Sequence, residues 1–146
     1  MFTVEKTFRI PMGHRLSKHK GLCKNFHGHN FVIKVKVGSK ELDENDMVID
    51  FSDLKKLVNE ILDAFDHSTI LNINDPAKEQ FFDLGYRIWL LDSDPTAEAF
   101  CKHLFHEISD ALKNLAKRDV YLVSVKIWEN EDSVAEYMPI TLADLG

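Results

Sequence analysis

Apolar and polar residues alternate in two stretches near the start of the chain. In the first stretch the apolar residues occupy even-numbered positions, at Phe2, Val4, Phe8 and Ile10. In the second stretch, over 27–37, apolar side chains share one face, and asparagine and lysine side chains share the other. A period of two is typical of half-buried β-strands. We predict that the two strands pair as an antiparallel hairpin.

Two later stretches have the spacing of amphipathic helices. Over 51–65 the apolar residues recur every three or four positions, and Asp50 or Ser52 is available to cap the N-terminus. A second helix is predicted to begin at Pro95, because proline suits the first helical position. Its apolar stripe continues to about Lys117.

The last part of the chain returns to the alternation of strands, over 121–127 and from Val134 to Ile140. The order strand, strand, helix, helix, strand, strand predicts an α+β domain. We expect a four-stranded antiparallel sheet with both helices packed on one face. Valine, isoleucine and aromatic positions on the other face cannot be covered by one chain, so we expect oligomerisation.

Composition is that of one ordinary globular domain, and we treat residues 1–146 as a single domain. The 18 Lys and Arg against 24 Asp and Glu give a net charge of -6, whereas nucleic-acid-binding proteins carry a basic excess. No stretch approaches the roughly 20 apolar residues of a membrane span, and no signal peptide is evident. We expect a cytoplasmic protein. Cys101, in the second helix, is predicted to be a small buried hydrophobe.

Three of the seven histidines are predicted to converge. His14 keeps the parity of the apolar residues in the first strand, and His27 and His29 share one face of the second. Three histidines without a fourth protein ligand are typical of catalytic zinc, whose open position holds water or a substrate oxygen. Iron or nickel could use the same nitrogens. The alternative is a set of hydrogen-bonded core histidines.

The predicted hairpin loop carries a cysteine among basic residues. Cys23 shares it with Arg15, Lys18, Lys20 and Lys24 and with no acidic residue. Nearby positive charge stabilises a thiolate, which suits a base or a nucleophile. The same charge could hold an anionic substrate such as a phosphate ester. The alternative is a solvated loop with an incidental cysteine.

Two further positions carry carboxylates suited to chemistry. Asp66 and His67 directly follow the first predicted helix, where the carboxylate could orient the imidazole as a proton shuttle. A solvated helix end is the alternative. Glu129 ends the third predicted strand in phase with its buried residues, so its carboxylate could accept two N–H donors from a flat heterocycle.

These residues belong to five runs: His14-Arg15-Leu16, Cys23-Lys-Asn-Phe-His27-Gly-His29-Asn-Phe31, Leu62-Asp-Ala-Phe-Asp66-His67-Ser-Thr-Ile-Leu71-Asn72, Pro95-Thr-Ala-Glu98, and Glu129 eight residues before Tyr137. In this order, over nearly the whole chain, they resemble the 6-pyruvoyltetrahydropterin synthase family. The Cys-x-x-x-His-Gly-His spacing is similar to the bacterial 6-carboxytetrahydropterin synthase branch. Animal pyruvoyl enzymes place two more residues between the cysteine and the histidine.

The resemblance implies a tunnelling fold (T-fold), in which sheets join side by side into a barrel. It implies a homohexamer of two stacked trimers, with active sites at subunit interfaces and one zinc ion per subunit. The implied roles are zinc ligation by His14, His27 and His29, proton transfer by Cys23, Asp66 and His67, and anchoring of the pterin ring by Glu129.

The implied activity is a zinc-dependent lyase acting on 7,8-dihydroneopterin triphosphate. It would give 6-carboxy-5,6,7,8-tetrahydropterin with loss of acetaldehyde and triphosphate, on the way to queuosine. One alternative is a 6-pyruvoyltetrahydropterin synthase, which eliminates triphosphate without carbon-carbon cleavage. The other is a non-catalytic zinc- or pterin-binding member of the fold, which would need neither the thiol nor the proton shuttle.

Two features depart from the family pattern. The segment from Ile73 to Ser93 is longer than the family's usual short connection and carries no motif. We expect it to form an additional hairpin at the substrate mouth or at the trimer contact. Asp94 stands where the family usually has asparagine before Pro-Thr-Ala-Glu.

Overall fold

The computed structural model describes residues 1–115 and 118–139. Its strands are β1 Phe2–His14, β2 His27–Ser39, β3 Thr69–Asn72, β4 Ile88–Leu91, β5 Tyr121–Asn130 and β6 Ser133–Tyr137. Its α-helices are α1 Phe51–Leu62, α2 Lys78–Asp83 and α3 Ala97–Leu115, and a short 3-10 helix covers Leu22–Lys24.

The predicted hairpin is confirmed over its full length. β1 and β2 pair antiparallel from Phe2 opposite Ser39 to His14 opposite His27. The alternation in the sequence sets this register, because a slip of one residue would turn every apolar side chain of the strand towards solvent. The ends of the two long strands, with their histidines, therefore lie side by side.

The sheet has six strands in the order β4-β3-β1-β2-β5-β6 and is mixed. The predicted four-stranded antiparallel sheet is wrong, although the α+β class holds. β3 pairs parallel with the end of β1, and β4 pairs parallel with β3. Each of these strands has only four residues, too few for a period to show, and parallel strands covered on both faces lack the alternation that marks a half-buried strand.

The segment from Ile73 to Ser93 does not form the expected hairpin. It leaves β3, forms α2 and returns as β4, so that the two strands run parallel. Parallel neighbours need a crossover of about a dozen residues or more, and the length of the insertion meets that requirement.

Both predicted helices are present, with different ends. α1 begins at Phe51, where the Asp50 carboxylate accepts a hydrogen bond of 2.7 Å from the Ser52 N–H, and it ends at Leu62 rather than at residue 65. α3 begins at Ala97 rather than at Pro95. The predicted helix end at Lys117 and the predicted strand end at Ile140 lie outside the described residues.

The core lies between the helices and one face of β1, β2 and β5. α1 contacts β1 and α3, and α3 contacts β5 and β6. Cys101 is fully buried there, as predicted, and burial raises the pKa of its thiol to about 12. The core extends along β2 to Phe31, whose ring contacts the His14 ring at a centroid distance of 5.7 Å. The histidines thus mark the end of the apolar core.

The opposite face of the sheet carries apolar side chains among charged ones. Trp128 lies opposite Val134 and beside Val32, and Lys34 lies over the Trp128 ring at 5.0 Å. Val134 is 54% exposed. In the described part of the chain, no helix is long and apolar enough to cross a membrane.

Candidate active site

The three predicted histidines meet where β1 ends and β2 begins. The ring centroid of His14 lies 4.5 Å from that of His27 and 5.1 Å from that of His29. The centroids of His27 and His29 are 5.0 Å apart. One nitrogen from each ring lies within 4.8 Å of the others. The hairpin register brings them together, because residues at the paired strand ends share the inner face of the sheet.

Hydrogen bonds to carbonyls fix which nitrogens face the centre of the cluster. Nδ1 of His14 lies 2.8 Å from the Pro95 oxygen, and Nδ1 of His27 lies 2.8 Å from the Asn25 oxygen. A carbonyl only accepts, so Nδ1 must carry the proton in both rings, and the lone pair is on Nε2. Metal-binding histidines are commonly oriented in this way.

The Nε2 atom of His14 is buried and has no hydrogen-bond partner among the residues described. Burial lowers the pKa of His14, outweighing the opposite effects of the Pro95 carbonyl and of Glu129. A neutral imidazole with a buried, unpartnered lone pair has the form that a metal ligand requires. The three histidines could therefore hold a metal ion, leaving a coordination position open.

Glu129 is a carboxylate close to this cluster. It lies one residue before the end of β5, and its Oε1 lies 3.9 Å from Nε2 of His14, beyond hydrogen-bonding distance. Its side chain is 26% exposed. Glu129 also lines a small cavity together with Leu16, Thr96 and Glu98. A ligand in this cavity could reach the Glu129 carboxylate.

Cys23 lies in the short 3-10 helix of the hairpin loop and is half-buried with a free thiol. Its carbonyl accepts a hydrogen bond of 2.8 Å from the Leu16 N–H, which joins the two arms of the loop. Within the described chain its sulfur is not part of the group of nitrogens that could ligate one metal ion. It lies beside the histidines in sequence without being a fourth ligand.

Two carboxylates contact this loop, and the sequence did not predict either contact. The Asp75 carboxylate accepts hydrogen bonds of 2.6 and 2.5 Å from Nε and Nη2 of Arg15. The Asp94 carboxylate accepts bonds from the Ser17 hydroxyl and the Lys18 N–H, at 2.7 and 2.9 Å. The loop is therefore less positive than its own sequence indicates. Asp75 and Asp94 lie 60 and 77 positions from their partners Arg15 and Ser17, and no local pattern in the sequence predicts these contacts.

Asp66 and His67 are not brought to the histidine cluster of their own chain. Nδ1–H of His67 donates to the Asp66 carboxylate at 2.7 Å, which leaves Nε2 of His67 free. The His67 side chain is 78% exposed. His67 has a φ of 57°, and its N–H donates to the Pro11 carbonyl at the edge of β1.

His67 borders a shallow depression lined also by Gly13, Gly28, His29 and Asn30. Gly13, Gly28 and Asn30 alternate with the histidines along β1 and β2, so most of this lining belongs to the outer face of the hairpin. One chain therefore presents two groups of polar side chains, one around the buried His14 and an exposed one at Asp66 and His67.

The fold and the three-histidine centre together define a class of pterin enzymes. The family model described as 6-pyruvoyl tetrahydropterin synthase matches residues 3–139, and the chain belongs to this family. It is thus a pterin synthase with a lyase-type reaction. The 6-carboxy-5,6,7,8-tetrahydropterin synthase of Aquifex aeolicus is 33% identical over 92% of this chain and 96% of its own length.

Two solved structures are similar along nearly the whole chain. A 6-pyruvoyl tetrahydropterin synthase from Caenorhabditis elegans is 26% identical, with a TM-score of 0.70, and the match covers 95% of this chain and 96% of that one. An uncharacterised protein from Wolinella succinogenes shares the fold with a TM-score of 0.80 at 22% identity, covering 94% and 97%.

Proposed function

We propose that this protein converts 7,8-dihydroneopterin triphosphate and one water molecule into 6-carboxy-5,6,7,8-tetrahydropterin, acetaldehyde and triphosphate, and that it depends on zinc. The observation that carries the proposal is the set of three converging imidazoles, one with a buried unpartnered nitrogen, within a pterin synthase fold. The carboxy product is supported by the Cys-x-x-x-His-Gly-His spacing and by the name of the Aquifex aeolicus relative. This reaction would place the protein in queuosine synthesis.

His14, His27 and His29 would hold one zinc ion per subunit. Zinc bound there would polarise the hydroxyl groups of the substrate side chain and acidify the adjacent C–H bonds. The Nδ1 hydrogen bonds of His14 and His27 would keep the rings oriented towards the ion. Three protein ligands leave a position at which a substrate oxygen can bind.

Proton transfer is assigned to Cys23 and to the Asp66–His67 pair. In the pair, the Asp66 carboxylate accepts a hydrogen bond from Nδ1–H of His67. This leaves Nε2 of His67 as the atom that takes or gives a proton. Because His67 lies on the outer face, we assign it to the active site of a neighbouring subunit. A reducing cytoplasm, the compartment we propose, would keep the Cys23 thiol free.

The site would then lie at the interfaces of a homohexamer, a dimer of trimers. The exposed His67 ring and the half-exposed Val134 beside Trp128 support burial of the outer face by other copies of the chain. Residues 1–146 would form one domain of this assembly.

Glu129 would anchor the pterin ring. Its carboxylate lines a small cavity, lies 3.9 Å from Nε2 of His14 and can accept two N–H donors of the heterocycle. The triphosphate would contact exposed lysines of the loop, Lys18, Lys20 and Lys24, since Arg15 is already paired with Asp75.

The second candidate is the 6-pyruvoyl product, formed by triphosphate elimination without carbon-carbon cleavage. The names of the family and of the Caenorhabditis elegans structure favour it. The two products contain different numbers of carbon atoms, so product analysis separates the candidates.

The test is to incubate the zinc-loaded protein with 7,8-dihydroneopterin triphosphate and to identify the products by mass spectrometry, with Cys23→Ala as the paired variant. We expect 6-carboxytetrahydropterin and acetaldehyde from the wild type and loss of both from the variant at unchanged zinc content. A pyruvoyl product would assign the second candidate. Absence of turnover in a zinc-loaded, assembled protein would contradict both.

A further inference from the structure

The loop that carries Cys23 is held from outside by three side chains of the segment 75–94. Asp75 pairs with Arg15 through two hydrogen bonds, and it is only 1% exposed. The Phe81 ring of α2 packs against the Phe26 ring at a centroid distance of 4.8 Å. The third contact is the Asp94 carboxylate, which binds the backbone and a hydroxyl of the loop.

Asp94 uses both of its oxygens. Oδ1 accepts from the Ser17 hydroxyl at 2.7 Å and from the Asn72 amide at 3.0 Å, and Oδ2 accepts from the Lys18 N–H at 2.9 Å. Asparagine at this position would have only one acceptor oxygen, so its NH₂ group would face one of these donors. The carboxylate therefore makes a contact that the amide cannot make.

The anchored stretch is bonded directly to the cysteine. The two carboxylates bind residues on both sides of Leu16, Asp75 at the Arg15 side chain and Asp94 at Ser17 and Lys18. The Leu16 N–H donates to the Cys23 carbonyl at 2.8 Å. The Arg15 guanidinium also lies 4.9 Å from the centre of the Phe26 ring, at the other end of the loop. Displacement of residues 15–18 would consequently displace Cys23 relative to His27.

We propose that Asp75 and Asp94 are positioning residues that hold the loop carrying Cys23 in its place. This inference rests on the proposed function, in which Cys23 transfers protons. The long insertion then has a structural role, because it supplies Asp75 and is followed directly by Asp94. Asp75 acts through the Arg15 side chain, and Asp94 acts through the Ser17 hydroxyl and the Lys18 N–H. Proton transfer is sensitive to such displacement, since a shift of about 1 Å can cost on the order of 100-fold in rate.

The first test measures the reactivity of Cys23 and needs no substrate. Cys101 is fully buried, and burial raises the pKa of its thiol to about 12, so iodoacetamide should label one thiol per folded chain. In Asp94→Asn we expect Cys23 to be labelled at least about three-fold faster, because the released loop opens more often. Asp83→Asn, at the exposed end of α2, is the matched control and should keep the wild-type rate.

The second test separates kcat from KM in the same variants. Asp94→Asn should lower kcat by about ten-fold or more and leave KM within about two-fold, because an ill-placed proton-transfer group affects the chemical step rather than binding. Zinc content should equal that of the wild type. Asp75→Asn should show the same pattern, but Asp75 is buried, so the half-buried Asp94 is the decisive position if that variant fails to fold.

An unchanged labelling rate together with an unchanged kcat in Asp94→Asn would overturn the proposal. Loss of zinc from the folded variant would also overturn it, because the carboxylate would then support the histidines rather than the cysteine. If the wild type does not turn over dihydroneopterin triphosphate, the proposed function fails. The labelling result still decides whether the two carboxylates control Cys23.

Discussion

The two faces of the β1–β2 hairpin present histidines in opposite states. On the inner face, His14 is buried, and its Nδ1 is bonded to a carbonyl. On the outer face, His67 is exposed, and its Nδ1 is bonded to the Asp66 carboxylate. Burial lowers the pKa of the inner ring and so favours the neutral form that a metal ligand requires, whereas the Asp66 carboxylate orients the outer ring with its Nε2 free for proton transfer.

In the proposed function, this contrast is the reason that one chain would not make a complete site. The imidazole cluster lies on the inner face, and the exposed His67 borders a depression lined mostly from the outer face of the sheet. A second copy of the chain would bring its outer face to the inner cluster of the first. Substitutions in either group of side chains test whether the two faces carry separate functions.

The largest effect is expected from removing an inner histidine. His27→Ala should lose zinc and activity together, by more than the roughly 10–100-fold that loss of an outer partner of a metal ligand costs. Metal analysis of the purified protein and an assay of turnover measure this. His106→Ala, at an exposed position of α3, is the control and should retain both. A His27→Ala protein with full zinc content would contradict the inner assignment.

Removing the outer histidine should give a different pattern. His67→Ala should keep its zinc and lose about 10²–10⁴-fold in kcat, the usual contribution of a general acid or base. Asp66→Asn should show a smaller loss, because the ring remains but its orientation is weakened. Loss of zinc in His67→Ala, with the fold intact by circular dichroism, would place this residue in the metal centre instead.

A charge on the outer face should affect assembly. Val134→Glu puts a carboxylate beside Trp128, where other copies of the chain are proposed to pack. We expect a smaller particle by light scattering, with zinc retained in each chain. Glu136→Gln, a change on the same face of β6 that adds no charge, is the matched control. An unchanged particle mass would contradict the use of this face.

The smallest effect is expected from the Arg15–Asp75 pair of the hairpin loop, which should make the stability of the fold depend on pH in acid. Burial alone would raise the pKa of Asp75, but the hydrogen bonds from Arg15 and from the Ala77 N–H outweigh it, and the pKa lies below its usual value. Because the folded-state pKa is the lower one, the pair stabilises the fold fully above the ordinary carboxyl pKa of about 4 and loses this contribution as the pH falls further.

Thermal melts between neutral pH and about pH 3 measure this contribution. The wild-type Tm should fall more steeply than that of Asp75→Asn below about pH 4, where the carboxylate gains its proton. Asp83→Asn should follow the wild type, since its carboxylate lies outside the Arg15 pair. Parallel curves for all three proteins would show that the Arg15–Asp75 pair does not couple to folding.

The sequence allowed the inner face to be predicted and left most of the insertion unpredicted. The placing of His14 beside His27 follows from strand alternation, which needs only neighbouring residues to be compared. β3 and β4 are four residues each and carry no period, so their parallel pairing could not be seen. The Arg15–Asp75 pair joins residues 60 positions apart, and only the crossover through α2 brings them together.

The most direct test of a site shared between two faces is a mixed assembly of two inactive proteins. His27→Ala and His67→Ala chains would be co-expressed with different tags, and assemblies containing both would be purified and assayed. If inner and outer groups of different subunits combine, about a quarter of the sites in a random mixture hold an intact pair, and activity returns. If both groups act within one chain, no intact site forms, and a mixed assembly without activity would contradict the account.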